Sequence, residues 1–267
     1  MPIPPFFLGT FGMKGSDGRR AILQALECGF RALDTGQVYD NESEIGHAVV
    51  ESAIPRDQLF IATNIAVDNM APDRLLASLD RSRDDLQTDC IDLTLIHWPV
   101  VRGDATICRA LEALALARQR GLTRAIGVSN FTIALMHQAV DLLGPGAIAT
   151  NQIEIHPYFQ NRKVVESATA LGIHTTSFKT LAKGRIASDP TIQRIAQRLQ
   201  ATPAQVVLAW ALALGHSTVT SSLRREHLAL NLRAAALRLD AEAMADMAGL
   251  ERHERLTNPA ALAPAWD

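Results

Sequence analysis

Residues 91–130, IDLTLIHWPVVRGDATICRALEALALARQRGLTRAIGVSN, hold one full period of the pattern that decides the fold. Ile91 to Ile96 is an apolar run of the length of a buried strand, and Thr106 to Arg120 carries apolar residues at helical spacing. Gly121 marks the helix end, and Thr123 to Val128 is a second apolar run. Strand, helix and strand in this order form a βαβ unit, in which the helix is the crossover that lets two strands run parallel. The alternation recurs along the whole chain. Strands are expected at Phe6 to Leu8, Ala32 to Asp34, Leu59 to Thr63, Ile91 to Ile96, Thr123 to Val128, Ala149 to Ile155, His174 to Phe178 and Thr218 to Ser221. Helices are expected at Arg19 to Cys28, Glu42 to Ser52, Pro72 to Arg83, Thr106 to Arg120, Ile133 to Leu143, Arg162 to Leu171 and Pro203 to Leu214. Asn41 is placed as a helix cap, Pro72 and Pro203 at first turns, and Gly29, Gly121 and Gly172 just past helix ends. Eight parallel strands close a (β/α)8 TIM barrel. No polar linker interrupts the rhythm, so residues 1–267 are read as one α/β domain.

Composition narrows the function classes. The chain has 267 residues, is 48% hydrophobic and 20% charged, and carries a net charge of -2 with a pI near 6.4. There is no cationic excess for a phosphate polymer, so a nucleic-acid partner is not expected. Cys28, Cys90 and Cys108 lack CxxC spacing and are odd in number, which fits a reducing cytoplasm better than a disulfide framework. The opening MPIPPFFLGTFG lacks the basic segment and long apolar run of a secretory signal, and no apolar stretch has the length of a membrane span. A protein without a membrane partner is expected, and no metal site is anticipated.

The unusual polar residues fall at strand ends. Asp34 ends RALDT, His97 ends LTLIH, Ser129 and Asn130 follow AIGV, and Asn151 and Gln152 open NQIEIHP. In a barrel these ends ring one mouth, the face on which barrel enzymes gather their chemistry. An aspartate or a histidine after a single strand is ordinary turn chemistry. The same placement at several strand ends points to a site.

Several segments together resemble the aldo-keto reductase family, and within it the bacterial 2,5-diketo-D-gluconate reductase B type. They are FLGTF, RALDTGQVYDNESEIGHAV, DLTLIHWP, GLTRAIGVSNFT, ATNQIEIHPYFQNRKVV, ATPAQVVLAWAL and LAPAWD, spread over nearly the whole chain. The resemblance implies a monomeric carbonyl reductase with a nicotinamide dinucleotide bound outside a Rossmann fold, and the chain indeed has no GxGxxG motif. It implies that Tyr39 donates the proton, Asp34 is the buried carboxylate beside it and His97 orients the substrate carbonyl. Ser129, Asn130 and Gln152 would hold the carboxamide, and Phe178 would stack on the nicotinamide ring. Leu181 and Lys183 would lie in the loop over the pyrophosphate. In SSLRREHLALN, Ser222 and Arg224 would hold a 2′-phosphate, with His227 close by and Asn231 toward the adenine. NADPH is therefore expected as cofactor, and NADH more weakly. Ser221 and His227 replace cations common in relatives, and a histidine is charged only in mildly acid solution. Both changes narrow the preference.

One position departs from the pattern in its chemistry. Where the resemblance calls for a lysine, this chain has Asn64. Hydride arriving at a carbonyl carbon leaves negative charge on oxygen, which a proton donor must meet as it develops. A phenol with an ordinary pKa of ~10 is a reluctant acid, and a neighbouring ammonium eases its proton off. Asn64 offers hydrogen bonds but no charge. Without the cation, Asp34 is expected to favour protonation and, when ionised, to push the pKa of Tyr39 up. Three readings stay open: an inactivated reductase that still binds NADP(H), a site retuned for protonated imines, or a lysine function supplied by Lys14 or Lys179. Phe11, Met13, Trp98 and Trp266 are expected to form apolar walls for a small carbonyl substrate. A sugar-derived diketone is what the resemblance suggests, and small aldehydes and ketoesters suit the same walls.

Overall fold

The structure, a computed structural model, describes residues 2–99 and 104–267. Eight parallel strands form a closed barrel in sequence order: β1 Phe6–Gly9, β2 Ala32–Asp34, β3 Phe60–Ile65, β4 Ile91–Ile96, β5 Thr123–Ser129, β6 Ile148–Glu154, β7 His174–Phe178 and β8 Ser217–Thr220, with β8 returning to β1. Around them lie α1 Gly15–Cys28, α2 Glu42–Glu51, α3 Pro72–Asp85, α4 Asp104–Gln119, α5 Ile133–Leu143, α6 Arg162–Ala170, α7 Pro190–Arg198, α8 Pro203–Ala213, α9 Arg225–Arg233 and α10 Ala241–Ala248. Among the described residues no helix is long and apolar enough to cross a membrane.

The strands read as continuous apolar runs because both of their faces are covered. β3 and β4 are buried at every position. Their side chains divide between two cores. Phe7, Ala32, Phe60, Ala62, Leu93 and Leu95 form a cluster inside the barrel, closed by an edge-to-face contact of Phe7 with Phe60 at 5.5 Å between centroids. The larger core lies between sheet and helices, with Leu8, Leu33, Ile61 and Ile96 meeting Ile22, Ile45, Leu75 and Leu111.

Helix ends follow the expected chemistry with one exception. Pro72 and Pro203 open α3 and α8, and Thr202 with Gln205 makes a full capping box. Gly29 adopts φ 111°, a left-handed conformation that costs glycine little. Asn41, expected as a cap, does not cap α2 with its side chain. Its amide instead donates to the carbonyls of Thr10 and Met13 at 2.8 and 2.9 Å, and its Oδ1 accepts from Thr35 Oγ1 at 3.0 Å. These bonds to buried acceptors tie the loops after β1 and β2 together.

Candidate active site

Strand periodicity builds the site. Residues two apart on a strand face the same side, so the row inside the barrel runs from Ala32 to Asp34, from Phe60 and Ala62 to Asn64, and from Leu93 and Leu95 to His97. The last residue of each row reaches the mouth. Gln152 joins this ring through an irregularity: Ile126 pairs with Ile148, but Val128 pairs with Asn151 and Ser129 with Gln152. The extra residue on β6 re-aims the side chains that follow it.

Gln152 Nε2 donates to Asp34 Oδ1 at 2.8 Å. Burial raises the Asp34 carboxyl from 3.8 to about 7, although the amides of Gln152 and, more weakly, Asn64 act against it. Among the described residues no cation offsets the burial. Asp92, at the opposite end of the barrel, shows the contrast: Arg56 and Arg124 hold its carboxylate at 2.7 and 2.9 Å. Asn64 is fully buried, donates to the Thr35 carbonyl at 2.7 Å, and leaves its Oδ1 without a partner among the described residues. Tyr39 ends the 3-10 turn Gln37–Tyr39. A Cβ on Gly36 would stand 3.1 Å from Asn64 Cβ and 3.6 Å from Tyr39 Cζ, so both side chains lie close to this glycine. Burial and then the charge of Asp34 push the Tyr39 phenol well above its ordinary value of 10. The His97 ring meets Tyr39 edge to face at 5.8 Å, and burial lowers its pKa to about 4, leaving a neutral imidazole at physiological pH.

Neither lysine proposed as a substitute reaches this group. Lys14 pairs with the exposed Asp40 at 3.0 Å, and Lys179 donates to Thr257 Oγ1 in the C-terminal tail. The reason is geometric: each stem leaves from a loop and finds an acceptor outside the mouth.

The residues assigned to a cofactor line one side of the mouth. Ser129 Oγ and Asn130 N both donate to the Gln152 carbonyl, at 2.9 and 3.0 Å. Asn130, at φ 62°, also donates to the His97 carbonyl at 3.0 Å. Asparagine tolerates this left-handed geometry better than most side chains. Phe178, half-buried, ends β7, and Glu154 of β6 pairs with it in register. Next come Lys179, Ala182, Lys183 and Gly184, all with positive φ, with the half-buried Leu181 among them. Arg224 and His227 are exposed at the start of α9, and Ser222 Oγ accepts from Arg224 N at 3.0 Å. Arg224 makes no ion pair among the described residues, whereas Arg225 is taken by Glu27. Asn231 is buried and donates to Thr220 Oγ1 at 3.1 Å.

An aromatic file continues from the phenol. Phe11 meets Tyr39 at 5.2 Å, and Trp98 beside His97 meets Trp266 at 6.2 Å. Arg255 lies over the Trp266 ring at 3.6 Å, and Asp267 accepts from the first amide of α5 at 2.9 Å, which holds the tail. Met13, expected in this wall, is instead 1% exposed and belongs to the main core, because the turn before α1 directs it inward.

One positioning residue, Gln37, escaped the sequence reading, and a second, Asn151, was placed at a strand end without a role. Gln37 Nε2 donates to Ser78 and Ser82, and its Oε1 accepts from Ala66 N and Asn69 Nδ2, all between 2.8 and 3.1 Å. These bonds clamp the turn that carries Tyr39. Asn151 Nδ2 donates to the Phe131 carbonyl at 3.0 Å and braces the Ser129–Asn130 turn. A buried-looking polar residue two positions before Tyr39 was the available signal for the first. The second required the β6 irregularity.

The Asp34 carboxyl has a measurable consequence. Its folded pKa of about 7 lies above 3.8, so folding favours the protonated form and stability is lost as pH rises through 7. At about 1.36 kcal/mol per pH unit, the interval corresponds to at most about 4 kcal/mol. Asp34→Asn should therefore match the parent near pH 4 and exceed it by up to that amount at pH 8 in denaturant unfolding. Equal stability at pH 8 would show that Asp34 ionises normally.

Comparison with known proteins gives the family. Residues 7–252 match the model of the aldo/keto reductase family. The chain is 51% identical to the methylglyoxal reductase DkgB of Salmonella typhi and 48% identical to that of Yersinia pestis, each over 267 residues and 100% of both chains. A solved structure provisionally described as a 2,5-diketo-D-gluconic acid reductase B superposes with a TM-score of 0.95 at 39% identity, over 99% of this chain and 94% of that one. A Gox0644 mutant in complex with NADPH superposes with a TM-score of 0.88 at 31% identity, over 94% of this chain and 90% of that one. By its barrel, its strand-end residues and this full-length likeness, the chain belongs to the aldo/keto reductase family and is an oxidoreductase.

Proposed function

We propose that the chain reduces small dicarbonyl compounds with NADPH, using Tyr39 as proton donor and His97 to orient the carbonyl, at a rate held down by Asn64. The observation that carries this reading is the edge-to-face contact of Tyr39 with His97, with Tyr39 and Asn64 both lying against Gly36, near an Asp34 carboxyl whose burial no cation among the described residues offsets. A neutral His97 can direct an N–H at the carbonyl oxygen, and Tyr39 stands beside it to meet the charge that hydride transfer creates.

The residues present fit a nicotinamide dinucleotide, which would supply the hydride. Ser129, Asn130 and Gln152 would hold the carboxamide and Phe178 would face the ring. Leu181 and Lys183 would cover the pyrophosphate, and Ser222, Arg224 and His227 would take a 2′-phosphate, with Asn231 near the adenosine. The unpaired, exposed Arg224 supports NADPH over NADH, since a guanidinium grips phosphate oxygens in pairs. The relative in complex with NADPH supports the same choice. Arg224→Ala should raise the NADPH Kd roughly ten- to a hundredfold, the worth of a charge-assisted hydrogen bond, and leave NADH unchanged. Fluorescence titration with both cofactors reads this, and equal losses for the two would remove Arg224 from its role.

The dicarbonyl class follows from the weak acid. A second carbonyl beside the first withdraws electrons and stabilises the incoming charge, so less help is required from Tyr39. Methylglyoxal, named for the relatives, has this character, its aldehyde lying next to a ketone; in 2,5-diketo-D-gluconate only the C2 carbonyl has an electron-withdrawing neighbour, the carboxyl group. Phe11, Trp98 and Trp266 form the apolar wall. A second reading rests on the same uncompensated Asp34: an iminium substrate brings its own proton and the positive charge that the carboxylate lacks. NADPH consumption with methylglyoxal, diketogluconate, simple aldehydes and cyclic imines separates them. Dicarbonyl turnover supports the first, imine-only turnover the second, and NADPH binding without any turnover an inactivated reductase.

A further inference from the structure

Asp34 and Gln152 are joined across the mouth, from the end of β2 to β6. Their hydrogen bond of 2.8 Å links residues 118 apart in sequence. The Gln152 backbone is fixed from behind, its carbonyl accepting from Asn130 N and Ser129 Oγ. The other groups around Asp34 are Tyr39 from the 3-10 turn and Asn64 from β3, with the neutral His97, just after β4, beyond Tyr39. Just after β1, Thr10 N and Oγ1 donate to the Asp34 carbonyl at 3.0 Å. The nearby lysines, Lys14 and Lys179, are engaged with Asp40 and Thr257.

We infer that Gln152 is a positioning residue that couples occupation of the nicotinamide site to protonation of Asp34. This rests on the cofactor reading above. The amide that would serve the carboxamide is also the strongest hydrogen-bonding support of the Asp34 carboxylate. When a carboxamide draws on that amide and a ring excludes water from the mouth, the carboxylate loses support on both counts. One proton then moves from solvent onto the carboxylate, with no electron transferred. A reduced, uncharged ring favours this uptake. An oxidised ring is cationic and supports the ionised carboxylate, so it opposes uptake. Asp34 would therefore hold, in the reduced complex, a proton that can replace the one Tyr39 gives to the carbonyl oxygen, and the carboxylate left behind would offset the charge of an oxidised cofactor. In this chain the Gln152–Asp34 pair carries the charge adjustment that the uncharged Asn64 cannot supply.

Isothermal titration calorimetry of NADPH into the full-length protein at pH 7.5, in phosphate and in Tris, reads proton uptake from the difference in heat. About half a proton or more per NADPH is expected, and less for NADP+. Asp34→Asn should reduce uptake to the residue left by the cofactor's own phosphate. Gln152→Leu should reduce it too, since Asp34 then lacks its donor before the cofactor arrives. A second measurement needs no Gln152 variant: the midpoint of the Asp34 carboxyl carbon in an NMR pH titration, assigned by its loss in Asp34→Asn, should rise by about one pH unit on saturation with NADPH. NADPH binding with no uptake, undiminished uptake in Asp34→Asn, or an unmoved midpoint overturns the coupling and leaves the cofactor reading standing. Failure of NADPH to bind overturns both.

Discussion

Tyr39→Phe is expected to lower NADPH-dependent dicarbonyl reduction by about 10²- to 10⁴-fold, the range of a positioned general acid, with NADPH affinity nearly unchanged. The substitution removes one hydroxyl and keeps the ring that meets Phe11 and His97 edge to face. The turn is held by the four hydrogen bonds of Gln37 and not by the phenol, so its position survives the change. A loss in kcat without a loss in binding separates a proton donor from a packing residue. Full dicarbonyl turnover in Tyr39→Phe would end the assignment. Retention of imine reduction alone would favour the iminium reading, in which the substrate arrives protonated.

Asn64→Lys is expected to raise dicarbonyl reduction by roughly 10²–10³, the usual worth of one preorganised electrostatic partner, or ~3 kcal/mol. An ammonium at the end of β3 would lie beside both Asp34 and Tyr39. It would lower the Asp34 carboxyl from about 7 and bring the raised phenol back down. The substitution also removes Asn64 Oδ1, a buried acceptor with no partner among the described residues, while the ammonium must take over the donation that Asn64 makes to the Thr35 carbonyl. Alcohol oxidation should gain at least as much. That direction needs the phenolate as base, and without a cation very little of it forms near neutral pH. Cofactor binding should change little, because Ser129, Asn130 and Arg224 are untouched.

The barrel was legible because each strand and its helix announce themselves locally. Three strand ranges, Ala32–Asp34, Ile91–Ile96 and His174–Phe178, match the structure residue for residue, and α5 does likewise. α7 was missed although its start was written in Asp189-Pro190, a cap followed by proline at the first turn; Asp189 accepts from Thr191 N and Ile192 N. Assigning one helix to each strand left no place for it. α10, capped by Asp240, was passed over in the same way. At the site, the identities of Asp34, Tyr39, Asn64 and His97 could be read from strand ends and motif order, and so could the direction in which a missing cation moves Asp34 and Tyr39. What could not be read is non-local. The added residue in β6 that turns Gln152 toward Asp34, the inward Met13 and the clamp on Gln37 each depend on segments distant in sequence.

The pH dependence of alcohol oxidation, measured for the parent and Asn64→Lys from pH 6 to 10 with NADP+ saturating, tests most directly whether Tyr39 works without a cation. His97 stays neutral across this range, so it contributes no inflection. With burial and Asp34 holding the phenol above its ordinary value, the parent rate should climb to pH 10 without a plateau. Asn64→Lys should reach its plateau at lower pH and at a higher rate. A parent profile that levels off by pH 8, with Asn64→Lys superimposed on it, would contradict this, because another group would already be drawing the proton from Tyr39.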